Sequence, residues 1–508
     1  MATLIRKNVF KDAHTALPTD VVIPSMFVNR AKGDAEGKLV KIKSRLTLRG
    51  DLDKPPADAP RKTYAPVLLP CTMRLLISQH SADIDTNFHQ LDHEAAFVSS
   101  PAVRRIVIRL PAGYFGPGPR VPNAVHVLNF NLYGGDDAPL VYQQDMFGKH
   151  KKLGFNGIMQ DHCYMELIRG NEFIKFVVHV DDFLIAQKGK TLWDWYCIEL
   201  KKHYQYTLAP LSYYVGMRFT RDPATGRYAI DQEAQIDKMC RAFGIDEHAR
   251  NAKTPISSFS DDDRLRLSDA PTDPDEKATA LKIPYRQAVG HLSYLASCTH
   301  FEIMLPTRLA AAFVQEWGTK HWTWVKQIMR YLKTKSSKLF YVSGSLVPRA
   351  LVGYTDADHA GNPDNRKSMS AHQIWLGDDL IDWYCKTQTI VSHSSAESEL
   401  MALDPCARQM QYLRWLVVAM HMPPPNEDAS IVYIDSSSAL SMAENPIQNR
   451  RNRHIHARYY YVSDLINEGI IKLRKIASAD NRADLLATYK DLATFKRLLH
   501  LCKPQPPE

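Results

Sequence analysis

A chain of 508 residues is too long for one core and predicts roughly three or four domains of about 100–200 residues. Hydrophobic residues at 45% and charged residues at 23% exclude wholesale disorder, and a net charge of +9 with a pI near 8.9 mildly favours a polyanionic partner. The eight cysteines (71, 163, 197, 240, 298, 385, 406, 502) make no Cys-x-x-Cys pair and no Cys/His cluster, which argues against a zinc site or a disulfide framework and fits a reducing compartment. The N-terminus has no apolar signal core and no run approaches the ~18 apolar residues of a membrane span, so an intracellular soluble protein with no membrane partner is expected.

Residues 1–62 are polar, with strand patterns at Ser25–Val28 and around Leu39–Leu48 and a loop over Asp51–Pro60. A helix is predicted within Tyr64–Ser81, centred on Met73-Arg-Leu-Leu-Ile-Ser78, followed by a short strand ending at Leu91-Asp92. Gly113–Pro122 is a Gly/Pro-rich loop. The β-rich runs Phe173-Ile-Lys-Phe-Val-Val-His-Val180 and Phe183-Leu-Ile-Ala186 flank Asp181-Asp182 and predict a hairpin with an acidic tip. Helices follow at Gln232–Phe243, Tyr285–Ser297 and His321–Lys333, with a polar linker over Thr254–Lys277. From Phe340 the pattern is strand, strand, strand, helix, strand, helix, which is α/β, and Lys503–Glu508 is a tail.

Adjacent carboxylates at an apolar-flanked tip repel each other unless a cation binds. Phosphoryl transfer uses such pairs to hold two Mg²⁺ ions about 3.5–4 Å apart. The Asp181-Asp182 pair alone reads more readily as a turn that tolerates Asp. His89-Gln-Leu-Asp-His-Glu-Ala-Ala-Phe97 adds Asp92 at a strand end, with an aromatic five residues on. Four more acidic residues lie on four successive elements: Asp356 near the end of the Leu351-Val-Gly-Tyr-Thr-Asp356 strand, Glu399, Asp435 after an apolar strand, and Asp484 in the helical Ala483–Ala487. Ser394-x-x-Glu397 is a capping box that places Glu399 in the first turns of a long helix, and serines after Asp435 can cap the next. The bland alternative is four surface carboxylates of an α/β domain. Converged at one end of a sheet, they make a two-metal nuclease.

Together these motifs resemble the reverse transcriptase and ribonuclease H region of copia-type LTR retrotransposon Pol polyproteins. The similarity is carried in order by Lys43-Ser-Arg-Leu46 through Arg49-Gly50, Tyr64-Ala-Pro-Val67, Leu132-Tyr-Gly134 with Ala138-Pro139, Val180-Asp-Asp182, Tyr213-Tyr-Val-Gly-Met217, Pro284–Leu295, and His321-Trp with Arg330-Tyr-Leu-Lys333. Arg366-Lys-Ser and Arg453-His-Ile continue it, for coverage of about residues 25–490. The resemblance implies that Asp92, Asp181 and Asp182 hold metal for synthesis, and that Phe97 is the aromatic gate against a ribose 2′-OH. Lys43 and Arg45 would grip the incoming triphosphate. Asp356, Glu399, Asp435 and Asp484 would hold metal for cutting RNA paired to DNA. Lys320, Lys326, Arg330 and Lys333 are candidates to track a phosphate backbone, a solvated helix face being the alternative, and His454 or His456 to touch the hybrid. Asp358 and Glu397 are expected to be supporting or surface groups.

Several positions depart from the pattern. Asp136-Asp137 stand where Lys-Gln is usual, and two negative charges there would repel a triphosphate by about 1–4 kcal/mol for a like charge at ~4 Å. His93-Glu94, His179 and Phe301-Glu302 also differ.

The expected fold class is α/β and α+β multidomain: a fingers–palm–thumb polymerase with an antiparallel palm sheet, followed by a ribonuclease H-like α/β domain. The expected segments are 1–62 (N-terminal segment and start of the fingers), 63–225 (fingers and palm), 226–345 (thumb and connection), 346–490 (ribonuclease H) and 491–508 (tail). The implied function is RNA- and DNA-templated DNA synthesis with cleavage of the RNA strand of hybrids, using Mg²⁺, two per centre, or Mn²⁺. RNA template, DNA primer, RNA–DNA hybrid, dNTPs and other polyprotein segments are the implied partners, in the cytoplasm (a virus-like particle in the family) or the nucleus. The alternatives are a degenerate, non-catalytic chain that binds nucleic acid without synthesis, and a chain that keeps only the nuclease. Since the family's capsid, protease and integrase portions do not precede the fingers here, a fragment, a processed product or a decaying copy is expected.

Overall fold

The computed structural model describes residues 2–33, 39–54, 61–114, 116–117, 123–245, 251–256, 263–334, 338–341, 349–423, 429–444 and 456–502. The chain forms two compact units, one built from Met1–Leu68 with Phe88–Pro210, the other from Leu69–Asn87 with Leu211–Glu508.

The first unit holds two sheets. In the smaller, Leu39–Leu48 pairs antiparallel with Val22–Gly33, which runs parallel to Val107–Arg109, with His126–Val127 at the edge. The larger has six strands, in the order Tyr206–Pro210, Asn87–His93, Asp182–Lys188, Glu172–His179, Tyr164–Arg169, Asn156–Gly157. Its centre is the predicted hairpin. Ile174, Phe176 and Val178 alternate onto one face with Phe183 and Ile185, and there they meet Tyr142 and Met146 of the Ala138–Lys152 helix and Leu192, Tyr196 and Leu200 of Lys190–Lys201. A strand of period two that buries one face against two helices is an α+β layer.

Leu48 N–H donates to the Tyr133 carbonyl at 2.7 Å, bringing the Leu39–Leu48 strand against the Leu132-Tyr-Gly134 motif. Gly134 has φ +84° and a Cβ there would stand 2.4 Å from the Leu48 carbonyl oxygen, so the contact and the backbone both require glycine.

The second unit has a four-stranded sheet in the order Tyr213–Tyr214, Met217–Arg221, Tyr228–Asp231, Leu339–Tyr341. The helices Glu233–Ala242, Tyr285–Cys298, Met304–Ala311 and Thr319–Thr334 lie in the same unit. Its five-stranded sheet has the order Asp379–Thr387, Met369–Leu376, Leu351–Ala357, Ser430–Ile434, Ile471–Lys475. The first three strands are antiparallel and the last two parallel to Leu351–Ala357 and to each other. Ile471–Lys475 lies beyond the pattern predicted from Phe340. The Ser395–Ala419 helix covers this sheet, burying Leu400, Leu403, Met410 and Leu413, and approaches so closely at Gly353 that a Cβ there would lie 2.8 Å from Met410 Cε.

The Pro70–His80 helix, predicted from sequence, belongs to this second unit. Its Arg74 guanidinium stacks 3.7 Å over the Trp383 ring and donates to the Ile381 carbonyl at 3.1 Å, and Ser78 Oγ donates to Asp379 at 2.6 Å.

Candidate active sites

In the first unit, His179 pairs with Asp182, which leaves Val180 and Asp181 as a two-residue turn. Val180 adopts φ +62°, a region that a β-branched residue rarely enters. The adjacent Asn87–His93 strand presents Asp92, and His93 N–H meets the Asp181 carbonyl at 3.4 Å, so the three carboxylates share one end of the sheet. Burial, then the charges of Asp181 and Asp92, pushes Asp182 up to about 6. Burial and Asp92 also raise Asp181, against the opposing charges of Arg45 and Lys43. Arg45 and Lys43 therefore act on the carboxylates from the Leu39–Leu48 strand of the smaller sheet. The Arg45 guanidinium sits 4.9 Å over the Tyr133 ring, and Phe97 packs edge-on to the same ring at 5.0 Å. Tyr133 links Arg45 and Phe97, two of the three residues expected to contact the nucleotide, a placement that its motif alone did not reveal.

Two departures acquire physical reasons. His93 points into the core: its Nδ1 lies 2.6 Å from Tyr142 Oη, its ring stacks on Tyr204 at 4.2 Å, and burial holds it neutral, pushed down to about 3. Asp136 and Asp137 do not stand as bare charges. Arg61 pairs with Asp136 at 3.1 Å and with Asp53 at 2.8 Å, while Arg104 pairs with Asp137 at 2.8 Å and also with Asp53. Burial pushes Asp53 up, but hydrogen bonds from Arg61 and Arg104 prevail and hold it below the usual carboxylate range. Two guanidiniums against three carboxylates leave one net negative charge, so the expected repulsion of a triphosphate is largely neutralised.

The second unit gathers its carboxylates more tightly. Asp356 is the sixth residue of the central Leu351–Ala357 strand. Glu399 stands in the second turn of the Ser395–Ala419 helix, whose N-cap Ser394 accepts from Glu397 N–H at 3.2 Å. Asp435 directly follows the Ser430–Ile434 strand, where Ser436 Oγ accepts from Ala439 N–H at 3.2 Å and caps the next helix. Ligand oxygens of Asp356, Glu399 and Asp435 all lie within 4.8 Å of one another. Burial, then Glu399, Asp484 and Asp435, raises Asp356 far above the carboxylate range, and burial with Asp435 pushes Glu399 up to about 8. Glu399 Oε2 is buried with no hydrogen-bond partner. An all-oxygen set with an orphaned, mutually repelling carboxylate fits a hard divalent cation.

Asp484, at the start of the Asp484–Ala487 helix, shares a hydrogen bond with Asp356 but is otherwise bound to Thr488 and Lys490. Asn481, fully buried, donates to the Thr355 carbonyl at 3.0 Å and to Asp356 at 3.4 Å, and accepts from Ala483 N–H at 3.2 Å. It fixes the Asp356 carboxylate, and the only sequence signal for it was its place at the head of the Asn-Arg-Ala-Asp motif. Glu397 is buried and accepts from His393 N–H at 2.6 Å, while burial pushes Asp358 up to about 6.

On the Thr319–Thr334 helix, Lys320 donates to the Arg264 carbonyl at 2.8 Å and pairs with Asp269 at 3.2 Å, and Lys333 donates to the Ile245 carbonyl at 2.8 Å. These two lysines tie down neighbouring loops. Lys326 and Arg330 are half-buried. His454 lies outside the described residues, as does the His456 side chain.

Each unit gathers acidic side chains at one sheet end, and residues 13–258 match the family described as reverse transcriptase (RNA-dependent DNA polymerase). The chain is 30% identical over 481 residues to the retrovirus-related Pol polyprotein from transposon TNT 1-94 of Nicotiana tabacum, covering 94% of this chain and 35% of that protein. It is 26% identical over 473 residues to the corresponding polyprotein from transposon RE1 of Arabidopsis thaliana, covering 92% of this chain and 30% of that protein. Nearly the whole chain is thus similar to retrovirus-related Pol polyproteins of transposons, and it spans about a third of the length of these relatives. Among solved structures it is similar to RNase H1 from the archaeon Halobacterium salinarum NRC-1, at 17% identity and a TM-score of 0.20, over 27% of this chain and 94% of that one.

Proposed function

We propose that this chain synthesises DNA on RNA and DNA templates in its first unit and cleaves the RNA strand of RNA–DNA hybrids in its second. In this reading the smaller sheet of the first unit is the fingers and the six-stranded sheet the palm. The helices between Glu233 and Thr334 form the thumb and connection, and the five-stranded sheet is the ribonuclease H domain. Divalent ions, Mg²⁺ or Mn²⁺, two per centre, would supply charge neutralisation and activation of the attacking oxygen.

For synthesis, Asp92, Asp181 and Asp182 hold the ions. Lys43 and Arg45 draw in the triphosphate, and Phe97, braced by Tyr133, crowds the ribose 2′ position. For cleavage, Asp356, Glu399, Asp435 and Asp484 hold the ions, and Asn481 keeps Asp356 aligned. The observation that carries the reading is the convergence of Asp356, Glu399 and Asp435 from strand, helix and strand onto one point.

Cleavage of RNA in a labelled RNA–DNA hybrid tests it directly. Asp435→Asn should lower the rate by at least ~100-fold, the scale of losing one preorganised charge partner. A variant as active as the parent would refute the assignment. Primer extension on a poly(rA) template with Asp181→Asn as control tests the synthetic half. A second reading, a chain that retains cleavage and has lost synthesis, is favoured by one contrast. Among the described residues, the C-terminal carboxylates alone close to metal-ligand separation. Absence of extension with intact cleavage would select it.

A further inference from the structure

The fourth carboxylate of the nuclease centre, which shares a hydrogen bond with Asp356, is also held by a cation. Asp484 Oδ1 accepts from Lys490 Nζ at 2.5 Å and from Thr488 Oγ1 at 2.7 Å, and Lys490 Nζ also donates to Thr488 Oγ1 at 2.8 Å. The pair is mostly buried, with 14% of the Lys490 side chain and 17% of the Asp484 side chain exposed. The Lys490 backbone is anchored on both sides. Tyr489 packs edge-on against Trp324 at 6.0 Å, and Asp491 caps the Leu492–Leu501 helix by accepting from Thr494 N–H at 2.8 Å. This ammonium is therefore held in place beside a set of four carboxylates of which three are already gathered.

We propose that Lys490 is a built-in cation that competes for Asp484 and sets the metal concentration at which the centre fills its second site. Asp356, Glu399 and Asp435 take one divalent ion without rearrangement. A second ion that uses Asp484 Oδ1 requires Lys490 and Thr488 to release it, and a positive side chain so close lowers the affinity for another cation. This rests on the nuclease reading above, and Lys490 acts there as a positioning residue.

The test is Mn²⁺ binding to the full chain, followed by electron paramagnetic resonance of the free ion. An Asp181→Asn, Asp182→Asn background keeps the first unit's carboxylates from contributing. The parent should show one tight ion and a second, weaker one. Lys490→Met should tighten the weaker class about tenfold, within the usual range for coupled sites, and leave the tight class unchanged. Lys490→Arg, which keeps the charge, should resemble the parent. Lys490→Gln serves if the methionine variant misfolds. The proposal is overturned if the neutral variants bind both ions as the parent does, or bind both more weakly, which would make Lys490 only a prop for Asp484. Asp435→Asn must weaken the tight class. If it does not, the nuclease reading itself fails, whatever Lys490 does.

Discussion

Arg104 shows how a residue that looks incidental in sequence can decide whether a motif is tolerable. It is the shared partner of Asp53 and Asp137, whose side chains are 6% and 9% exposed. Removing one member of a buried pair leaves an uncompensated charge. Arg104→Ala should therefore cost about 3–5 kcal/mol, read as a fall in the urea midpoint, and should weaken nucleotide binding in primer extension. Asp136-Asp137 was legible as a charge conflict, but its compensation was not, because Arg61 and Arg104 are tens of residues away and no spacing rule links them. His150 carries a pH prediction. It is buried in the six-stranded core, bonded to the Met146 carbonyl and Tyr196 Oη, and burial pushes it down from 6.5 to about 4. Between those values the unfolded chain binds a proton that the folded one refuses. Stability is thus full above about pH 6.5 and falls as the pH drops toward about 4, by on the order of 2–3 kcal/mol. Urea midpoints at pH 7 and pH 5 check this, and His150→Gln should flatten the difference.

At the scale of elements, local grammar served well wherever it was sufficient. A serine three residues before a glutamate, an apolar run ending in aspartate and an acidic pair between two β-rich runs each placed a carboxylate on an element that the fold brings to one sheet end. The Ile471–Lys475 strand was missed although Ile-Lys-Leu-Arg-Lys alternates, and its burial follows that alternation. Lys320 and Lys333 were read as a cationic face, but their bonds to backbone carbonyls depend on tertiary placement. The Val180 turn stores strain at the tip that carries Asp181. Asn tolerates a left-handed backbone better, so Val180→Asn should raise the thermal midpoint by the equivalent of about 1 kcal/mol. If the strain aims Asp181, the same change should slow primer extension. Gly353→Ala should push the Ser395–Ala419 helix off its strand and cost about 1–3 kcal/mol, measured by thermal unfolding, with hybrid cleavage falling as Glu399 moves.

At the scale of the whole molecule, the second unit is not confined to the C-terminal part of the chain. Arg74 bonds the Ser297 and Ile381 carbonyls, and Ser78 accepts from Arg349 while donating to Asp379. A fragment of residues 346–508 should therefore unfold at a lower temperature than one to which residues 69–87 have been joined by a linker, and Arg74→Ala should lower the midpoint of the full chain. Sequence placed this helix correctly and could not say which sheet it serves, since its apolar residues suit either. The arrangement also has a cost in time. Ser78 and Asp379 are 301 residues apart, so a ribosome adding ~5–20 residues per second finishes the helix roughly 15–60 s before its partner exists. Throughout that interval Leu75, Leu76 and Ile77, wholly covered in the finished protein, wait in the nascent chain without the surface that will shelter them.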